Sequence, residues 1–279
     1  MAHIAFLGTG LLGAAFVEAA CKRGDSVTVW NRTRSKAEAL TAFGATIAST
    51  PADAVRGADR VHLVLTDDAV VEDVIAEMRS GLSPTAIIID HTTTLPATTA
   101  LRVPRLNAEG LRYLHCPVFI GPPAARESKG IIMVSGPQAL YDAVRPALER
   151  QAERVVYWGE QPDLAATYKL CGNAFIIGMG GLVADVFQIA RGGGVQPLDA
   201  LKLLEFFNPG AIIAGRGKKM AAEDYTATFE LTMARKDVRL MMETAAPRPL
   251  TVLPGLAARM DARIAAGDGT LDLGVIAKD

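Results

Sequence analysis

Residues 3–32 read HIAFLGTGLLGAAFVEAACKRGDSVTVWNR. A short apolar run, HIAFL, ends in a turn that carries Gly8, Gly10 and Gly13 at the spacing G-x-G-x-x-G. A helical pattern comes next and gives way to a second strand-like run, SVTVW. Strand, glycine turn, helix and strand in so short a span specify a βαβ unit with parallel strands. In such a unit the first glycine permits the tight turn and the second lets the backbone approach a pyrophosphate. The third lets helix and strand pack closely. The helix N-terminus, with Leu11 and Leu12 in its first turn, offers N–H donors to the anion. A strand before and a helix after favour a dinucleotide site over a purely structural turn.

The end of the second strand bears on which dinucleotide. An NAD site places Asp or Glu there to accept from the ribose 2′-hydroxyl. This chain has Asn31, Arg32, Thr33, Arg34 and Lys36 instead. A guanidinium pairs with a 2′-phosphate and stacks on adenine, and Thr33 adds a hydroxyl donor. NADP(H) is the expected cofactor. Arg32, nearest the strand end, is the leading contact, with Arg34 and Lys36 as alternatives. Leu65 and Thr66, at the end of the RVHLVL run, are expected to line the same site.

Apolar runs alternate with helical patterns through the first half: HIAFLG, SVTVW, RVHLVL, AIIID, IIMVSG and RVVYWG. That alternation predicts a mostly parallel, doubly wound sheet covered by helices on both faces. Strand signals stop near residue 163 and the rest of the chain is helical in pattern. The expectation is a Rossmann domain over 1–161 and an all-α domain over 162–279. The apolar run AFIIGMGGLVADVFQIA belongs to a long helix between them. Its three glycines, Asp185 and Gln188 predict a buried helix and not a membrane span. Pro247, Pro249 and Pro254 are expected to delimit the last helices.

Half of the residues are hydrophobic and the formal net charge is −1, which fits a sizeable core and leaves no basic field for nucleic acid or anionic membrane. Cys21, Cys116 and Cys171 show neither disulfide nor zinc spacing. The start MAHIAFLGTG lacks a basic n-region, and a cytoplasmic location is expected.

Three further stretches give the chain a family resemblance. DHTTTLP (90–96) resembles a D-x-S-T-x-x-P substrate loop, KLCGN (169–173) a catalytic K-L-x-N-N, and FELTMARKD (229–237) an F-x-x-x-L-x-x-K-D segment. With the glycine turn, these resemble in order the β-hydroxyacid dehydrogenase family, which includes 3-hydroxyisobutyrate dehydrogenase and tartronate semialdehyde reductase. The resemblance implies an NADPH-dependent reductase or dehydrogenase acting on a small aldehyde or keto acid. Lys169 then donates the proton and Asn173, one helical turn on, holds the substrate oxygen. By the same resemblance Thr93 reaches cofactor and substrate, Thr92 replaces a substrate-binding serine, and Lys236 contacts the cofactor. A homodimer or homotetramer is also implied.

The chain departs from that pattern at HCPVFIG (115–121), where the family reads D-A-P-V-S-G-G. Phe119 replaces the serine and Ile120 a glycine, while Gly121 remains, so a less polar carbonyl compound enters as a candidate substrate. Gly172 stands where the family often has a first asparagine. His91 and His115 lie near the site without metal spacing and are expected to be structural. Asp67 and Asp68 follow the RVHLVL strand, and an aspartate there is expected to cap the next helix. Two rival functions are an imine reductase-like NADPH enzyme, against which Lys169 argues, and a non-catalytic NADP-binding regulatory protein.

Overall fold

A computed structural model describes residues 2–279. The first half builds strands β1 (His3–Leu7), β2 (Ser26–Trp30), β3 (Thr46–Ile47), β4 (Arg60–Leu63), β5 (Ile87–Asp90) and β6 (Arg112–His115). Between them lie helices α1 (Leu11–Lys22), α2 (Arg34–Glu38), α3 (Pro51–Val55), α4 (Asp68–Met78) and α5 (Pro96–Ala108). The six strands form one sheet in the order β3-β2-β1-β4-β5-β6, every pair parallel. The order reverses at β1, and β1 and β4 are the strands whose C-terminal ends open a crevice for a ligand.

Pleating decides how this sheet is held. Side chains alternate along β1, so Ile4 and Phe6 enter one core with Ala15 and Phe16 of α1. Ala5 and Leu7 enter another with Val71, Val74, Ile75 and Met78 of α4. Burying each large apolar side chain contributes roughly 1.5–3 kcal/mol. A sheet covered on both faces explains why its strands read as nearly continuous apolar runs.

After β6 the chain forms β7 (Val118–Phe119), α6 (Pro122–Arg126), β8 (Ile131–Val134), α7 (Gln138–Glu149) and β9 (Arg154–Tyr157). Strands β7, β8 and β9 make a separate three-stranded sheet, with β7 antiparallel to β8 and β8 parallel to β9. The runs IIMVSG and RVVYWG therefore do not extend the parallel sheet. Pro117 has no N–H for a ladder, and its carbonyl accepts instead from the Met133 amide at 2.9 Å.

The remainder is helical: α8 (Leu164–Gly192), α9 (Pro197–Ala200), α10 (Pro209–Ala221), α11 (Leu231–Ala245) and α12 (Leu253–Arg263). Pro254 sits in the first turn of α12, where its missing N–H costs nothing. The chain divides into two compact units, Met1–Asn173 and Ala174–Asp279. The division falls inside α8 and not at 161, because the first turns of α8 belong to the first unit. There Ala165 and Ala166 are buried, and the Ala165 amide donates to Ser135 Oγ at 3.1 Å. In the second unit a core of Leu231, Val238, Leu253 and Met260 joins α11 to α12.

Helix α8 corrects one expectation. Its apolar stretch is not buried within the chain: Phe175 is 55% exposed, Ile176 56% and Ile177 73%. Hydropathy shows that a face is to be covered, not that the same chain covers it. By length and composition alone this helix is long and apolar enough to cross a membrane. Its polar anchor is Asp185, whose carboxylate accepts from the amides of Thr251, Val252 and Leu253 at 2.6, 2.8 and 2.9 Å.

Candidate active site

The three glycines of the first turn act in three different ways. Gly8 has φ +98°, and a Cβ there would lie 2.2 Å from the Val64 carbonyl oxygen. A Cβ on Gly13 would lie 2.0 Å from the Gly8 carbonyl oxygen, which sets how closely α1 approaches β1. Gly10, the residue before α1, faces open space, with nothing within 4 Å of where its Cβ would be. Two glycines are required by packing, and the third keeps the helix N-terminus clear for an anion. Between them, Thr9 Oγ1 is buried without a hydrogen-bond partner among the described residues.

These residues open on a cavity of about 480 Å³ at the C-terminal ends of β1, β2 and β4. Asn31 ties the glycine turn to the end of β2. Its Oδ1 accepts from the Thr9 amide and its Nδ2 donates to the Thr33 carbonyl, both at 2.9 Å. Arg32, Thr33 and Lys36 line the cavity. Arg34 does not; it pairs with Glu38 one turn along α2 at 2.8 Å. Leu11 and Leu12 border the glycine end, and Leu65 and Thr66 border the end of β4. Asp67 caps α4 by accepting from the Val70 amide at 3.0 Å.

At the end of β5 the two threonines differ. Thr93 is exposed to the cavity, whereas Thr92 is 2% exposed and its Oγ1 accepts from the Leu65 amide at 3.1 Å. The Thr92 amide donates to Asp90 Oδ1 at 2.9 Å, so Thr92 braces the loop that the cavity uses. Below it, His91 Nδ1 lies 2.7 Å from the Cys116 carbonyl oxygen, which fixes the proton on Nδ1. His91 Nε2 therefore accepts from His62 Nδ1 at 2.9 Å. Burial pushes His91 down to about 4 and holds His62 well below its ordinary range, so the cavity floor carries the neutral imidazole of His91, backed by that of His62.

Lys169 reaches the cavity from the first turns of α8. Its Nζ donates to the Val118 carbonyl at 2.7 Å and stands 4.2 Å from the centroid of the Phe119 ring. Burial alone lowers its pKa from the usual 10.5. Val118 and Ile120 complete this end of the wall, while Phe119 lies beneath Lys169 and Gly121 precedes α6. Ile120 takes no left-handed conformation, so the loop accommodates it without backbone strain. Asn173 follows Lys169 by one turn and is half-buried, but it does not line the cavity. Lys236 lies on α11 in the second unit with its Nζ 3.0 Å from Asp237 Oδ1.

The structure adds residues that the motifs do not single out. Trp30 and one stripe of α4, namely Val70, Asp73, Val74 and Glu77, also line the cavity. The signal for the stripe is present in DDAVVEDVIAEM as the spacing i, i+3, i+4, i+7.

Residues 3–159 match the family model of the NAD-binding domain of 6-phosphogluconate dehydrogenase. The chain belongs to this family. It is a dinucleotide-binding oxidoreductase whose relatives include hydroxyacid dehydrogenases and semialdehyde reductases. It is 28% identical over 277 residues to glyoxylate/succinic semialdehyde reductase 1 of Arabidopsis thaliana, across 95% of this chain and 94% of that protein. Identity to the mitochondrial 3-hydroxyisobutyrate dehydrogenase of Drosophila melanogaster is also 28%, over 80% of this chain and 66% of that one. Among solved structures, an imine reductase of Streptomyces aurantiacus superposes with a TM-score of 0.86 at 26% identity, covering 99% of this chain and 98% of its own.

Proposed function

We propose that the protein is an NADPH-dependent reductase of small aldehydes or keto acids, with Lys169 as the proton donor. The observation that carries this is the ammonium of Lys169 at the edge of a cavity that begins at the glycine turn. The first-turn amides of α1 hold the pyrophosphate, with Gly10 leaving room for it. Arg32, with Thr33 and Lys36 beside it, holds the 2′-phosphate. Leu65, Thr66 and Thr93 border the rest of the cofactor.

Bound NADPH supplies the hydride. Lys169 Nζ supplies the proton to the alkoxide oxygen that forms, and takes it back when an alcohol is oxidised. Its lowered pKa brings that exchange closer to neutral pH. Asn173 orients the substrate oxygen toward Nζ, and Thr92 keeps the Leu65 loop in place. The acting form is a homodimer or homotetramer.

Lys169→Met is the direct test. Turnover in a panel of aldehydes and keto acids should fall by about 10²–10⁴-fold while NADPH still binds. In the wild type, reduction should decline with rising pH through the lowered lysine pKa, below the range of an exposed lysine. Oxidation should rise through the same pH, because it needs Nζ unprotonated. Undiminished turnover in the variant would remove Lys169 from the chemistry. Likeness to an imine reductase supports a second reading, reduction of a cyclic imine, and such a compound belongs in the panel.

A further inference from the structure

The two departures at 119 and 172 meet in space. A Cβ built on Gly172 would lie 2.1 Å from Phe119 Cζ and 2.9 Å from both Cε atoms, so the ring occupies the volume that any side chain at 172 would take. The Lys169 ammonium stands over the face of the same ring, 4.2 Å from its centroid. The Val118 carbonyl, one residue before the ring, accepts from the same Nζ at 2.7 Å. Phe119 therefore meets a residue without a side chain at its tip and the group proposed to move the proton on its face. The strand beneath it is fixed as well, since β7 pairs Val118 with Ile132 and Phe119 with Ile131.

Of the two residues that replace the family's serine and glycine, Ile120 lines the cavity and Phe119 lies beneath Lys169, and neither side chain has a hydrogen-bond donor. A carboxylate brought against Ile120 would lose water and gain no partner from it. Lys169 is the cation at this end, and its proton is directed to the reacting oxygen. The other cations that line the cavity, Arg32 and Lys36, stand at the β2 end.

We propose that Phe119, seated on Gly172, is a positioning residue for the Lys169 ammonium and, with Ile120, restricts the substrate to uncharged carbonyl compounds. This rests on the reductase reading and narrows its substrate class to uncharged aldehydes over keto acids and semialdehyde acids.

The test compares butanal with succinic semialdehyde, which differ by a terminal carboxylate, with NADPH as reductant. The wild type should prefer butanal in kcat/KM. Phe119→Ser should move the ratio toward the acid by about tenfold or more, mainly through KM, which corresponds to about 1.4 kcal/mol. It should also lower kcat for both substrates and shift the alkaline limb of reduction to higher pH, as Lys169 gains water. Phe119→Leu, which keeps the apolar contact, should retain the preference for butanal. An unchanged ratio and an unchanged limb in Phe119→Ser would overturn the proposal.

The pairing has a readout that needs no substrate. In a thermal-unfolding cycle, Gly172→Ala should destabilise the wild type clearly but have little effect when Phe119 is already Ala. Additive effects would overturn the pairing. Coupled unfolding in a protein that reduces no aldehyde would overturn the reductase reading, and the substrate half of the proposal with it.

Discussion

Arg32 is the residue on which cofactor choice turns. It stands just past the C-terminal end of β2 and lines the cavity, while its neighbour Arg34 is drawn aside to Glu38. Arg32→Ala is expected to lower kcat/KM with NADPH roughly 10- to 100-fold, the loss of one charge-assisted bond worth about 1.5–3 kcal/mol. NADH should be little affected, because it has no phosphate to pair. Equal losses with the two cofactors would take Arg32 out of the discrimination. At this scale the sequence is informative wherever chemistry forces a residue type. Gly8 and Gly13 are glycine because a Cβ would strike a carbonyl oxygen, and that need leaves a spacing that can be read. Contacts between remote residues leave no such trace, and the seating of Phe119 on Gly172 becomes visible only when β7 and α8 are placed together.

At the scale of elements, the parallel strands are legible because burial on both faces makes them continuously apolar. Strand β6 is not: RYLH begins and ends on polar residues, yet Tyr113, Leu114 and His115 are all fully buried. Tyr113 is satisfied from a distance, its Oη donating to Asp90 Oδ2 at 2.5 Å, while His115 Nδ1 has no hydrogen-bond partner among the described residues. Helix α12 shows the same dependence on a remote partner. Asp185, on α8, accepts from the amides that open α12, and Asp185 itself is 1% exposed. Burial raises its pKa, but the three amide bonds outweigh that and hold it below the ordinary range. Asp185→Ala should cost about 2–4 kcal/mol and lower the melting temperature, since three amide donors at the start of α12 lose their acceptor. An unchanged melting temperature would show that α12 starts without this carboxylate.

For the molecule as a whole, the apolar surface of α8 is the feature the chain does not resolve by itself. Phe175, Ile176, Ile177 and Met179 are each between 46% and 73% exposed, an apolar patch that fits an interface better than bare solvent. The expected outcome in solution is a dimer or tetramer by sedimentation, and Ile177→Lys should shift it toward the single chain. A wild type that sediments as a single chain at micromolar concentration would refute the assembly. Composition points to a buried helix, and in the expected assembly a second copy would supply that burial.

Gly172 also constrains the order in which this site can have been changed. A side chain at 172 would displace the ring at 119, whereas glycine at 172 leaves room for either a serine or a phenylalanine there. Setting glycine first and the ring second avoids that displacement, and placing asparagine at 172 with the ring present incurs it. Attempts to convert this enzyme toward acid substrates should therefore begin at 119.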